Sequence, residues 1–96
     1  MGLPPVHPGA ILADEMAEIG LPANRMARAL GVATNRISEI VAGRRAVSAD
    51  TALRLGRYFG TSARFWLDLK ADYDLDIALA RKGKAIDKQV RQRQAA

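Results

Sequence analysis

Residues 22–43 read PANRMARALGVATNRISEIVAG, and the order of residues in this stretch decides the fold. A helix-turn-helix needs a small residue where its two helices meet and a residue tolerant of positive φ at the turn. It also needs apolar residues that anchor the second helix. Ala27 is the small residue, Gly31 follows four positions later at the turn, and Val32 comes next. Met26 and Leu30 flank Ala27 on the first helix, while Ile37, Ile40 and Val41 supply the buried face of the second. Two helices of a plain bundle share parts of this pattern. Here all its positions agree.

With Ile37, Ile40 and Val41 turned inward, Thr34, Asn35, Ser38 and Glu39 face outward or sideways. The N-terminal turn of a recognition helix is the part that reaches base edges in the major groove. Asn35 suits a bidentate pair with adenine, Thr34 a base or a thymine methyl, and Arg36 guanine or phosphate. Glu39 can accept from the cytosine amino group, although a surface glutamate neighbouring Arg36 or Asn35 is the plainer reading. Arg44 and Arg45 leave the helix in a loop suited to phosphate clamping, with Ser38 on the helix itself and Arg25 in the first turn of the preceding one. Arg28, Arg54 and Arg57 are weaker candidates for the same task.

Outward from the motif, the punctuation predicts short helices joined by tight turns. Pro8 suits a first helical position and Gly20 the residue past an end, so residues 9–19 read as a helix with Leu12, Met16 and Ile19 at helical spacing. Pro22 opens a second helix running to Leu30, and a third spans about Thr34 to Ala42, closed by Gly43. Ser48 caps a fourth from Ala49 to Phe59, closed by Gly60, and Ser62 caps a fifth over about 63–80. No segment alternates with a strand period. The expected fold is all-α, with a helix-turn-helix domain over residues 1–80. Beyond Gly83 only Ile86 and Val90 are large and apolar, which predicts a frayed basic tail over 81–96.

Charge follows the same division. Residues 1–80 hold nine basic and nine acidic side chains, so the net charge of +5 belongs to the last sixteen, where Arg81, Lys82, Lys84, Lys88, Arg91 and Arg93 oppose Asp87. Within the neutral part, Asn24 to Arg45 carries five arginines against Glu39, flanked by acidic runs at Asp14–Glu18 and Asp68–Asp76. A basic block between acidic ones points one face at a polyanion and another at a different partner, unless it is only a solvated mosaic.

Several function classes are excluded. Cysteine is absent and histidine occurs once, as His7, which removes disulfides, thiolate chemistry and histidine-rich metal sites. Asp68, Asp72 and Asp76 line one helix face without a histidine or glutamate partner, so a solvated acidic stripe outweighs a metal site. His7 before Pro8 is explained by capping as well as by proton transfer. The reading is therefore no enzyme, no cofactor, no metal and no small-molecule substrate. No apolar run reaches the length of a membrane span, and Met1 to Gly9 lacks the regions of a signal peptide. A soluble cytoplasmic protein is expected.

The fifth helix carries Phe65, Trp66, Leu67, Leu69, Tyr73 and Leu75, apolar residues on more than one side. A surface helix needs only one buried stripe, so the surplus predicts a homodimer interface at Phe65, Trp66, Leu69 and Tyr73. Helices one and four covering both faces is the competing account. A two-fold dimer would set two recognition helices about 34 Å apart and read a palindrome.

The run from His7 to Ala78 closely resembles the HigA/VapI-type antitoxins, which carry an XRE-like (lambda-repressor-like) helix-turn-helix. The resemblance rests on His7-Pro8-Gly9, the NRISEI run from Asn35 to Ile40, the ADTALRL run from Ala49 to Leu55, and Phe59-Gly60-Thr61-Ser62 followed by Phe65-Trp66-Leu67. It covers about three-quarters of the chain. It implies five helices, a homodimer, Thr34, Asn35, Arg36 and Glu39 as DNA readers, and repression of an operon shared with a HigB/RelE-like toxin that the antitoxin neutralises. Two features depart from the pattern. Pro22 stands where a Ser or Thr cap is usual, and the basic tail is additional. A stand-alone XRE-type regulator without a toxin is the nearest alternative, and a helical module binding only protein the next.

Overall fold

The computed structural model describes residues 4–94. Among them the regular elements are five helices: α1 (Pro8–Glu18), α2 (Ala23–Leu30), α3 (Thr34–Val41), α4 (Ala49–Phe59) and α5 (Ala63–Gln89). Local chemistry sets most of their ends. The His7 Nδ1 accepts from the Gly9 N–H at 2.9 Å, so His7 caps α1 and Pro8 occupies its first turn. Ser48 and Ser62 cap α4 and α5 by accepting from Thr51 N–H and Phe65 N–H at 3.2 and 3.1 Å. No side chain caps α2. The Pro22 carbonyl instead accepts from Arg25 and Met26 N–H at 3.0 and 2.9 Å.

The turn between α2 and α3 depends on Gly31, whose φ of 73° puts the backbone in the left-handed region. This lets the Val32 N–H reach back to the Ala27 carbonyl at 2.9 Å and close the helix. Leu12, Met16, Met26, Ala27, Leu30, Ile37, Ile40, Val47, Ala52, Leu55 and Trp66 form one buried cluster drawn from all five helices and the loop before α4. Helix α2 packs on α3, α4 on α5, and α1 on both α3 and α5. A methyl group at Gly9 would collide with the Ile40 carbonyl, so α1 touches α3 backbone to backbone.

Helix α5 differs from its expectation. It spans 27 residues, to Gln89, and at 1.5 Å per residue is about 40 Å long. The expected end near residue 80 and the frayed tail over 81–96 are therefore corrected as far as Gln89. Gly20, Gly31, Gly43 and Gly60 have positive φ, whereas Gly83 does not and passes as an ordinary helical residue. Around it stand Ala80, Arg81, Lys82, Lys84 and Ala85, good helix formers that outweigh one glycine. Residues 90–94 lie beyond the helix, and residues 1–3 of the expected domain and 95–96 of the expected tail fall outside the described residues. No helix among the described residues is long and apolar enough to cross a membrane.

Candidate nucleic-acid interface

Helix α3 is eight residues long, too short to hold itself in water, so its orientation comes from packing. Ile37 and Ile40 are fully buried and Val41 packs against the same core. That anchoring turns Thr34 and Asn35 to solvent at the first turn, with Arg36 and Glu39 half-buried at its flanks. The helix has no side-chain cap, and in its first turn the Arg36 N–H donates to the Ala33 carbonyl at 3.1 Å. Ser38 is half-buried, and its hydroxyl donates to the Thr34 carbonyl at 3.1 Å.

Both charged side chains of α3 are tethered. Arg36 Nη1 donates to Asp50 Oδ2 at 2.7 Å, and to Thr51 Oγ1 at 3.4 Å. Arg45 donates to Glu39 Oε1 through Nε at 2.8 Å and approaches the same oxygen with Nη2 at 2.7 Å. Glu39 is thus a partner of Arg45 in the exit loop, not of the neighbouring Arg36 or Asn35. Arg25 and Arg44 are exposed and form no ion pair among the described residues. The structure therefore brings Thr34, Asn35, Arg36, Ser38 and Glu39 onto one helix, with Arg44 and Arg45 in the loop that leaves it.

Sequence reasoning overlooked Asp50. It lies in the first turn of α4, and its Oδ2 also accepts from Arg54 Nε at 2.9 Å. Arg54 Nη1 donates in turn to the Leu30 carbonyl at 2.9 Å, which fastens α4 to the end of α2. The Asp50–Arg54 spacing of four residues was a visible signal. The Arg36–Asp50 pairing had none, since fourteen residues separate them. The side-chain bonds from Arg54 and Arg36 hold the Asp50 carboxyl below the usual carboxylate range.

The expected dimer residues divide between two faces. Trp66 is only 1% exposed, and its Nε1 donates to Thr61 Oγ1 at 3.2 Å, so it belongs to the core and is unavailable to a second copy. Leu69 packs on the same core, and Tyr73 meets the His7 ring edge-on at 5.0 Å. Trp66, Leu69 and Tyr73 recur at i, i+3 and i+7, which is the inward stripe of α5. Of the four, Phe65 alone is exposed, at 43%. Leu75, Leu79 and Ile86 are exposed as well, ten, fourteen and twenty-one residues after Phe65, spacings that keep them near one outer face of α5, and Val90 is exposed just past its end. No group of three acidic, histidine or cysteine residues is placed to hold a metal among the described residues.

This arrangement defines a helix-turn-helix, and the sequence pattern of the helix-turn-helix family matches residues 12–66, more than half of the chain. The chain belongs to this family, in its XRE-like branch of HigA/VapI-type antitoxins. It is 49% identical over 77 residues to virulence-associated protein I of Dichelobacter nodosus, covering 79% of this chain and 71% of that one. A solved addiction-module antidote protein of the HigA family from Coxiella burnetii superposes with a TM-score of 0.93 at 44% identity, over 95% of this chain and all of its own. The Pseudomonas aeruginosa antitoxin HigA, solved with the higBA promoter, gives 0.90 at 44% identity over 94% of this chain and 99% of its own.

Proposed function

We propose that this protein is a sequence-specific DNA-binding repressor and the antitoxin of a cytoplasmic toxin–antitoxin module, repressing its own operon and neutralising a HigB/RelE-like toxin. The observation that carries the DNA half is the outward first turn of α3, with Thr34 and Asn35 exposed while Ile37 and Ile40 are buried beneath them. Kinship with an antitoxin solved on promoter DNA supports both halves. Thr34, Asn35 and Arg36 read bases, and Glu39 borders the site through Arg45. Arg25, Ser38, Arg44 and Arg45 hold phosphates. A homodimer built on the outer face of α5, from Phe65 onward, presents two such helices to a palindromic operator.

Binding to a duplex enriched by this chain from a random library, against a scrambled duplex at the same salt, tests the reading. Asn35→Ala costs about 1–3 kcal/mol on the enriched duplex and little on the scrambled one. Equal losses on both overturn the base-reading role. Coexpression with the neighbouring reading frame tests the antitoxin half. Growth rescue and a stable complex are expected, and their absence leaves a regulator without a toxin.

A further inference from the structure

Arg36 is the cation best placed on α3 to enter a groove, yet its side chain is already held from another helix. Its Nη1 lies 2.7 Å from Asp50 Oδ2 and 3.4 Å from Thr51 Oγ1, both in the first turn of α4. Asp50 is braced by Arg54 at 2.9 Å, and Arg54 by the Leu30 carbonyl at 2.9 Å. Ser48, the cap of α4, donates to Thr51 Oγ1 at 3.2 Å. One chain of hydrogen bonds thus joins the end of α2, the start of α4 and the third residue of α3.

This chain contributes little to stability. The Arg36 and Asp50 side chains are 31% and 56% exposed, and ion pairs in such positions are weak. Its effect is on the arginine. A guanidinium has five N–H donors in a rigid fork, and binding through Nη1 leaves the donors of Nε and Nη2 in a fixed direction. The adjacent carboxylate, shared with Arg54, also offsets part of the charge that would draw Arg36 to any phosphate. An oriented fork with its charge partly offset favours guanine O6 and N7 over the backbone, because base edges reward geometry where phosphates reward charge.

We infer that Asp50 is a positioning residue for DNA specificity: it holds Arg36 as a reader of base edges and away from phosphate. This rests on α3 being the recognition helix. The carboxylate remains ionised at physiological pH, since both arginines lower its pKa. The macrodipole of α4 acts in the same direction at its first turn.

The test is a double-mutant cycle on the full chain, with Asp50→Asn, Arg36→Ala and the pair, on the enriched and scrambled duplexes. Asp50→Asn is expected to tighten scrambled binding severalfold while changing enriched binding little, so that the preference ratio falls about five- to tenfold. In the Arg36→Ala background Asp50→Asn leaves the ratio unchanged, because the residue through which it acts is gone. An equal fall in both backgrounds is a general charge effect and overturns the inference, as does an unchanged ratio in the Asp50→Asn single variant. A wild-type chain that prefers no duplex overturns the DNA reading itself, and this inference with it. Unaltered circular dichroism and melting curves confirm that each variant is folded.

Discussion

Helices α3 and α5 use the same helical chemistry to opposite ends. Helix α3 has eight residues, of which Ile37 and Ile40 are buried, whereas α5 has 27 and fully buries Trp66 alone. A two-turn helix has no independent stability, so each of its faces is fixed by the domain and its outer face becomes a precise template. A helix of seven turns persists through propensity and through anchorage at one end. Its outer face is not committed to its own domain, and the molecule consequently measures 54 Å in its longest dimension against 27 and 21 Å in the others. On the proposed function, rigidity in the first case would serve sequence reading and surplus surface in the second would serve association.

The anchorage of α5 gives the largest expected effect. Trp66 sits 6.0 Å from the Phe59 ring, and its indole N–H is satisfied by Thr61. Where α4 turns into α5, a methyl group at Gly56 would come within 3.0 Å of the backbone at residues 61–63. Trp66→Ala leaves a cavity at this junction and costs about 3–5 kcal/mol in urea melts, a large share of what a small domain possesses. A loss below about 1 kcal/mol would show that α5 holds by propensity alone and that the contrast with α3 is false.

The contrast also explains what the sequence made legible. The helix-turn-helix could be read because its determinants are local: Ala27, Gly31 and Ile37 lie within eleven positions, and each constrains the next through helical period or backbone φ. The caps at Ser48 and Ser62 were readable for the same reason. The end of α5 was not, because Gly83 resembles the four glycines that do close turns, and only the backbone distinguishes them. Composition also showed that α5 is apolar on more than one side without showing which stripe faces inward, so Trp66 was placed on the wrong face. The Arg36–Asp50 tether depends on the angle between α3 and α4, which no spacing encodes.

The outer stripe supplies the next effect. If α5 associates through Phe65, Leu75 and Leu79, then Leu75→Ser with Leu79→Ser removes apolar area from the contact and leaves the domain intact, since both side chains are 59% exposed. Sedimentation at tens of micromolar is expected to give two chains for the wild type and one for the variant, with unchanged Trp66 fluorescence. Operator affinity falls with the mass, because two half-sites are then bound independently. A wild-type chain that sediments as a monomer would leave α5 an unshared projection.

The smallest effect concerns the charges on α5. Lys70 Nζ lies 2.7 Å from Asp74 Oδ2 at i, i+4, with side chains 36% and 53% exposed. Such a pair contributes about 0.3–0.5 kcal/mol, and less when the base precedes the acid, because the helix dipole favours the reverse order. Replacing lysine by alanine also gains slightly in helix propensity. Lys70→Ala is therefore expected to shift the melting free energy by under about 0.5 kcal/mol, with its ion-pair part vanishing in high salt and the small propensity gain remaining. A loss near that of Trp66→Ala would make charge, not the buried indole, the anchor of α5. The helix would then owe its length to ion pairing, and its outer apolar face would have to be reinterpreted as incidental.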